Sequence, residues 1–135
     1  MQGMVIGDEN SMKVLFDSNA WMTYFEGGKK AEKVKKLLKA NYGKILTTSA
    51  NLYEVKYVLL RTGRGKAEQA EAFIKANSEI ISIDEYVASE AAELRASKGL
   101  GAVDAFTMAA AQKLNAKIVS AYPHFKPFKK YLKKI

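Results

Sequence analysis

The chain contains no cysteine, two prolines and a single histidine. Without cysteine there is no disulfide framework, no thiolate zinc site and no cysteine nucleophile, and the cytoplasm is the natural compartment. Scarce proline, with 48% of residues apolar, argues against disorder. No apolar run approaches the ~20 residues of a membrane-spanning helix, so no membrane association is expected. The segment Met1 to Ser11 lacks the basic and apolar regions of a signal peptide. Residues 1–11 read as an N-terminal extension or a remnant of cloning, ahead of one domain over 12–135. Acidic residues are also missing from one stretch. Between Ala105 and Ile135 there are seven lysines and no aspartate or glutamate.

What is present is the material of one ordinary domain. A chain of 135 residues buries roughly two-thirds of its unfolded surface around a single core. The net charge of +8 is concentrated in the tail from His124 to Ile135, where aromatics alternate with lysines. Such a surface attracts a polyanion such as RNA through its phosphates. It reads equally as a solvated lysine-rich face.

Hydrophobic periodicity alternates between two patterns. Lys13 to Asp17 is a short apolar run ending at a polar cluster, as a buried strand does. A short helical stretch runs from Trp21 to Glu26, and an amphipathic helix covers Lys29 to Asn41. Lys44 to Thr48 reads as the second strand, and Ser49 as the cap of a helix reaching Thr62. A helix over Lys66 to Asn77 leads into the third strand, Glu79 to Ile83. Asp84 caps a helix through Ser97, Gly99 and Gly101 break it, and Ala102 to Leu114 form the last helix before a fourth strand, Lys117 to Ser120. Strands that alternate with helices predict an α/β fold, a three-layer α/β/α domain around a central parallel sheet.

Parallel sheets bind ligands outside the carboxyl ends of their strands. Asp17 ends the first strand, and Glu54 lies in the first turns of the helix leaving the second. Asp104 opens the helix that must finish where the fourth strand begins. Three acids therefore meet at one rim. Asp104 sits in an apolar helix and Glu54 beside Leu52, Tyr53 and Val55, so both are expected to be buried. A buried carboxylate costs several kcal/mol unless it is paired or bound to metal. Lys56 and Arg61 are the nearest basic candidates. A hard cation such as Mg²⁺ or Mn²⁺ relieves the repulsion among clustered carboxylates. The plainer reading makes Glu54 and Asp104 helix N-terminal acids that complement the macrodipole. Trp21, Met22, Tyr24, Phe25, Tyr53 and Tyr57 are mostly assigned to the core.

The residues that carry these acids resemble a known family. Val14-Leu-Phe-Asp-Ser-Asn-Ala-Trp21, Ser49-Ala-Asn-Leu-Tyr-Glu54 and Ala102-Val-Asp-Ala-Phe-Thr-Met-Ala109 look like the three acidic motifs of PIN-domain proteins. Ile118-Val-Ser-Ala-Tyr-Pro-His-Phe125 looks like the fourth. The short single-domain form is similar to the VapC toxins of prokaryotic toxin–antitoxin pairs. That resemblance implies a metal-dependent endoribonuclease, cytoplasmic and homodimeric, acting on an RNA substrate and silenced by a cognate antitoxin. It implies that Asp17, Glu54 and Asp104 hold Mg²⁺ or Mn²⁺ and carry catalysis. Ser18 and Asn19 follow the first acid as small polar residues that orient it or a water, and Ser120 matches the family's hydroxyl residue. As a strand-end residue, Ser120 also reads as part of a turn.

The fourth motif departs from the pattern. The family places an aspartate two residues after the hydroxyl residue, where this chain has Tyr122. Tyrosine is neutral at pH 7 and a much poorer ligand for Mg²⁺. His124 lies close enough to substitute, or is a surface residue. The alternative is a degenerate PIN domain that binds RNA or a protein without efficient cleavage. A phosphoaspartyl hydrolase needs a second aspartate at position 19, which is asparagine, and no Gly-rich phosphate loop is present.

Overall fold

In the computed structural model, which describes residues 12–120 and the backbone of 132–134, strands and helices follow the expected alternation. The order is β1 (Val14–Phe16), α1 (Ser18–Glu26), α2 (Lys29–Ala40), β2 (Ile45–Thr48), α3 (Ser49–Leu60), α4 (Arg64–Asn77), β3 (Glu79–Ile81), α5 (Glu85–Lys98), α6 (Ala102–Leu114), β4 (Lys117–Ser120) and β5 (Leu132–Lys134). Five strands form one sheet in the order β3-β2-β1-β4-β5, and every neighbouring pair is parallel. No helix of the described residues is long and apolar enough to cross a membrane.

The strand order places a switch point beside β1. The chain proceeds from β1 through β2 to β3 on one side, then returns to β4 on the other. Crossovers on opposite sides of the sheet leave a crevice between β1 and β4 at their carboxyl ends. Here Phe16 is in register with Val119, and the Asp17 backbone N–H donates to the Val119 carbonyl at 3.3 Å.

Alternation along the strands builds two cores. Leu15, Leu46 and Ile118 face one side, against Val87 and Ala91 of α5 and Ala105, Met108 and Ala109 of α6. Val14, Phe16, Ile45 and Val119 face the other, against Trp21, Val34, Val55 and Ile74 from α1 to α4. Residues of successive strand positions point to opposite faces, so one apolar run serves both layers. The second core is aromatic, with the Phe16 and Trp21 ring centroids 5.0 Å apart and Phe73 edge-on to Trp21 at 6.2 Å. The Trp21 indole N–H donates to Thr47 Oγ1 at 3.0 Å, which satisfies the one polar atom of that ring.

Three expectations are corrected. Thr48, not Ser49, caps α3, its hydroxyl oxygen accepting from the Asn51 N–H at 3.0 Å. Tyr53 and Tyr57 are 64% and 54% exposed rather than in the core, because Val55 holds the inward side of α3. They stack with centroids 6.2 Å apart, as residues four apart on a helix can. A fifth strand, β5, joins the sheet beside β4.

Candidate functional site

The end of β1 turns directly into α1, and Asp17 serves both. Its backbone is extended (φ −81°, ψ 177°), and Oδ1 accepts a hydrogen bond from the Ala20 N–H at 2.8 Å. A carboxylate at the N-cap satisfies a helical N–H that has no partner within the helix. The second oxygen is in a different position. Asp17 is 2% exposed, and its Oδ2 is buried with no hydrogen-bond partner among the described residues.

The electrostatics follow from that burial. Loss of water pushes the Asp17 carboxyl up from its ordinary 3.8 to about 7, because a low dielectric disfavours the charged form. The Ser120 side chain and the Ala20 N–H act in the opposite direction, and the charges of Asp104 and Glu54 add to the rise. The Ser120 influence is that of a side-chain hydrogen bond, which favours the charged form. The two other acids are near enough to be felt.

Glu54 and Asp104 are both partly exposed, contrary to the expectation of burial from their apolar neighbours. Asp104 lies in the first turn of α6 and Glu54 in the second turn of α3. The rim opens to solvent there. Lys56 does not answer either acid, but pairs with Glu71 at 2.8 Å. Among the described residues the three carboxylates do not close into a preformed group of metal ligands. Their kind fits a hard cation: all donors are carboxylate oxygens, and one is a buried oxygen without a hydrogen-bond partner among the described residues.

The other expected residues divide. Ser18 is buried, and its hydroxyl oxygen accepts from the Asn51 side-chain amide at 2.9 Å. Asn19 is partly exposed in the first turn of α1. Ser120 is buried at the carboxyl end of β4. Tyr122 and His124 lie outside the described residues.

Sequence reasoning missed the group that connects these segments. Asn51 Nδ2 donates to Ser18 Oγ at 2.9 Å and to Thr107 Oγ1 at 3.1 Å. Thr48 Oγ1 donates to Asn51 Oδ1 at 2.8 Å. All four residues are buried. The available signal was a polar residue one turn from an acid on a buried helix face: Asn51 precedes Glu54 by three, and Thr107 follows Asp104 by three. A groove of about 650 Å³ lined by Met22, Phe25, Leu59 and Phe73, among others, lies between α1, α3 and α4 and contains none of the three acids.

The sheet order and the flanking helices first define a class, a single α/β domain built on a parallel sheet. The PIN-domain family supplies the particular match, its sequence profile covering residues 14–128. The chain belongs to the PIN-domain family, whose members are typically nucleases that use divalent metal ions. Its fold is similar to that of a toxin–antitoxin complex from Klebsiella pneumoniae (21% identity over 90% of this chain and 96% of that one, TM-score 0.75). It is also similar to VapBC2 from Rickettsia felis bound to a fragment of promoter DNA (21%, 91% and 98%, 0.71). A third likeness is to VapC20 of Mycobacterium tuberculosis, a toxin that cleaves the sarcin–ricin loop (17%, 84% and 92%, 0.70). No curated protein sequence matches the chain.

Proposed function

We propose that the protein is a divalent-metal-dependent endoribonuclease, the toxin of a toxin–antitoxin pair, with Asp17, Glu54 and Asp104 as its metal ligands. The observation that carries this reading is the buried, partnerless Oδ2 of Asp17 beneath two partly exposed acids. In a protein with eight surplus positive charges, no lysine among the described residues answers that oxygen, which suits a cation taken from solution. Mg²⁺ or Mn²⁺, when bound, supplies Lewis-acid polarisation of a phosphate oxygen and a more acidic water.

The chain's own groups do the rest. Asp17 is held in place by its bond from the Ala20 N–H, so its free oxygen faces the rim in one orientation. Glu54 and Asp104 complete the charge, and either accepts a proton from the attacking water. That water adds to phosphorus as the bond to the 3′-oxygen breaks; the departing oxygen takes a proton from solvent water or a lysine, leaving a 3′-hydroxyl and a 5′-phosphate. Asn19 and Ser120 border the site, where they orient a water or phosphate, and lysines of the basic surface hold the RNA backbone. In family terms the partners are a cognate antitoxin and a second copy of the chain. The apolar groove beside α1 supports a protein partner, and the exposed tyrosine pair supports a further contact surface.

Cleavage of structured RNA in Mn²⁺, stopped by EDTA, tests the reading. Tyr122 favours a second one, RNA binding without cutting. That version requires RNA to bind in EDTA and Mn²⁺ alike while remaining intact.

A further inference from the structure

We propose that Asn51 is a positioning residue whose side-chain amide sets the relative placement of the three acid-bearing segments. The proposal rests on reading Asp17, Glu54 and Asp104 as a divalent-metal site, and assigns that site a part that touches no ligand.

The bonding pattern favours one orientation of the amide. Thr48 Oγ1 already accepts from the Asn51 backbone N–H at 3.0 Å, so its hydrogen is directed at Asn51 Oδ1, 2.8 Å away. The Thr107 hydroxyl donates to the Val103 carbonyl at 2.8 Å in preference to Asn51 Oδ1 at 3.3 Å, which leaves its oxygen to accept. Both amide hydrogens of Asn51 are then used, one on Ser18 and one on Thr107. A flipped amide would set an amino group against the Thr48 hydroxyl hydrogen, and Thr107 could donate to the amide oxygen only at the expense of its bond to the Val103 carbonyl. Asn51 is 1% exposed, and Thr48 and Thr107 are fully buried.

Each partner sits within one turn of an acid. Ser18 directly follows Asp17, Thr107 lies one turn beyond Asp104, and Asn51 one turn before Glu54. One amide therefore joins the β1–α1 junction, α3 and α6 at the rim. Three carboxylates repel one another before an ion arrives, so attraction among them cannot set their spacing. A leucine of similar volume would fill the same space with apolar contact but permit several helix registers. A fully satisfied buried network permits one.

Thr107→Val, Thr107→Ser and Asn51→Leu in the full chain test this. The readouts are Mn²⁺ affinity by titration calorimetry at pH 8, thermal unfolding without metal, and kcat and KM on RNA. Thr107→Val and Asn51→Leu are expected to weaken Mn²⁺ binding by about 10- to 100-fold, as loss of a group supporting a metal ligand does, and to lower kcat with little change in KM. Thr107→Ser keeps the hydroxyl and is expected to retain wild-type affinity. A merely structural role lowers the unfolding temperature and leaves the Mn²⁺ affinity of the folded protein unchanged, and that result overturns the proposal. So does a serine variant as weak as the valine one. If Asn51→Leu does not fold, the two Thr107 variants decide the matter. Wild-type protein that binds no Mn²⁺ overturns the metal-site reading and this proposal with it. Wild-type binding that Thr107→Val preserves overturns this proposal alone.

Discussion

Two regions of the molecule treat carboxylates in opposite ways. On the outer helices, Glu71 sits between Lys56 at 2.8 Å and Lys75 at 3.0 Å. Their hydrogen bonds hold its carboxyl below the ordinary range. Asp84 is held low in the same way by Lys113 and by the Val87 N–H it caps. At the rim, burial pushes Asp17 up to about 7, and none of the influences on it comes from a lysine or arginine. The chain has 22 basic residues to 14 acidic ones, so cations are not scarce. Among the described residues, lysines pair with acids on the outer helices, where ion pairs stabilise little, and no ion pair reaches the buried Asp17, where a charge costs most. A buried acid that no described cation answers is the kind of group from which a functional-site candidate is drawn.

The largest expected effect removes the rim's charge. Asp17→Asn or Asp104→Asn should lower RNA cleavage by more than the ~100-fold that loss of a group behind a metal ligand costs. Circular dichroism should show the fold unchanged. Metal-dependent cleavage at the wild-type rate in Asp17→Asn would remove the functional distinction between the two regions.

The next effect is on stability, and its sign follows from linkage. The folded pKa of Asp17, about 7, lies above its ordinary 3.8. Between those values the folded state holds a proton that the unfolded state has lost. Metal-free stability should therefore fall as pH rises from about 4 to about 7, by up to ~1.4 kcal/mol per unit, and level off above that. Asp17→Asn keeps the cap oxygen and loses the charge, so without metal at pH 8 it should be more stable than wild type by a few kcal/mol. Urea unfolding at pH 5 and pH 8 checks this. A variant less stable than wild type at pH 8 would mean that Oδ2 is compensated after all.

Metal addition should reverse that order. At pH 8 and a hundred times its dissociation constant, Mn²⁺ should stabilise wild type by about 2.7 kcal/mol and leave Asp17→Asn almost unaffected. At pH 5 the gain should shrink, because the proton on Asp17 competes with the ion. Melting curves with and without Mn²⁺ measure both.

How much of this could be read from sequence depends on whether a feature is periodic. Lys13 to Asp17 and Lys117 to Ser120 are short apolar runs between polar ends, and they became β1 and β4 within a residue or two. Their parallel pairing put Asp17 at the rim. Burial of the acids was misjudged because flanking residues stood in for position. Glu54 and Asp104 have apolar neighbours, yet they lie near helix starts at the sheet's edge, where solvent reaches. Asp17 ends an equally apolar strand in the middle of the sheet and is buried. The strand β5, three residues within a lysine-rich tail, has too little alternation to read. The Asn51 network joins residues 33 and 56 positions apart, and no local pattern encodes such a contact.

The smallest effect tests the other side of the comparison. Glu71 has its pKa lowered, so its contribution is present above the unfolded value and lost as pH falls through the folded one, opposite in slope to Asp17. Its side chain is 21% exposed and that of Lys56 36%, so solvent screens the pair. Glu71→Gln should therefore cost no more than about 1 kcal/mol at pH 7, less in high salt, and progressively less as pH falls through its lowered folded pKa. Mn²⁺ affinity should not change, since Glu71 faces its lysines and not the rim. A larger loss that persists in salt would mean that α3, which also carries Asn51 and Glu54, depends on its packing against α4 through this pair. The outer helices would then share in holding the rim, and the division between lysine-paired acids and the buried Asp17 would be one of degree.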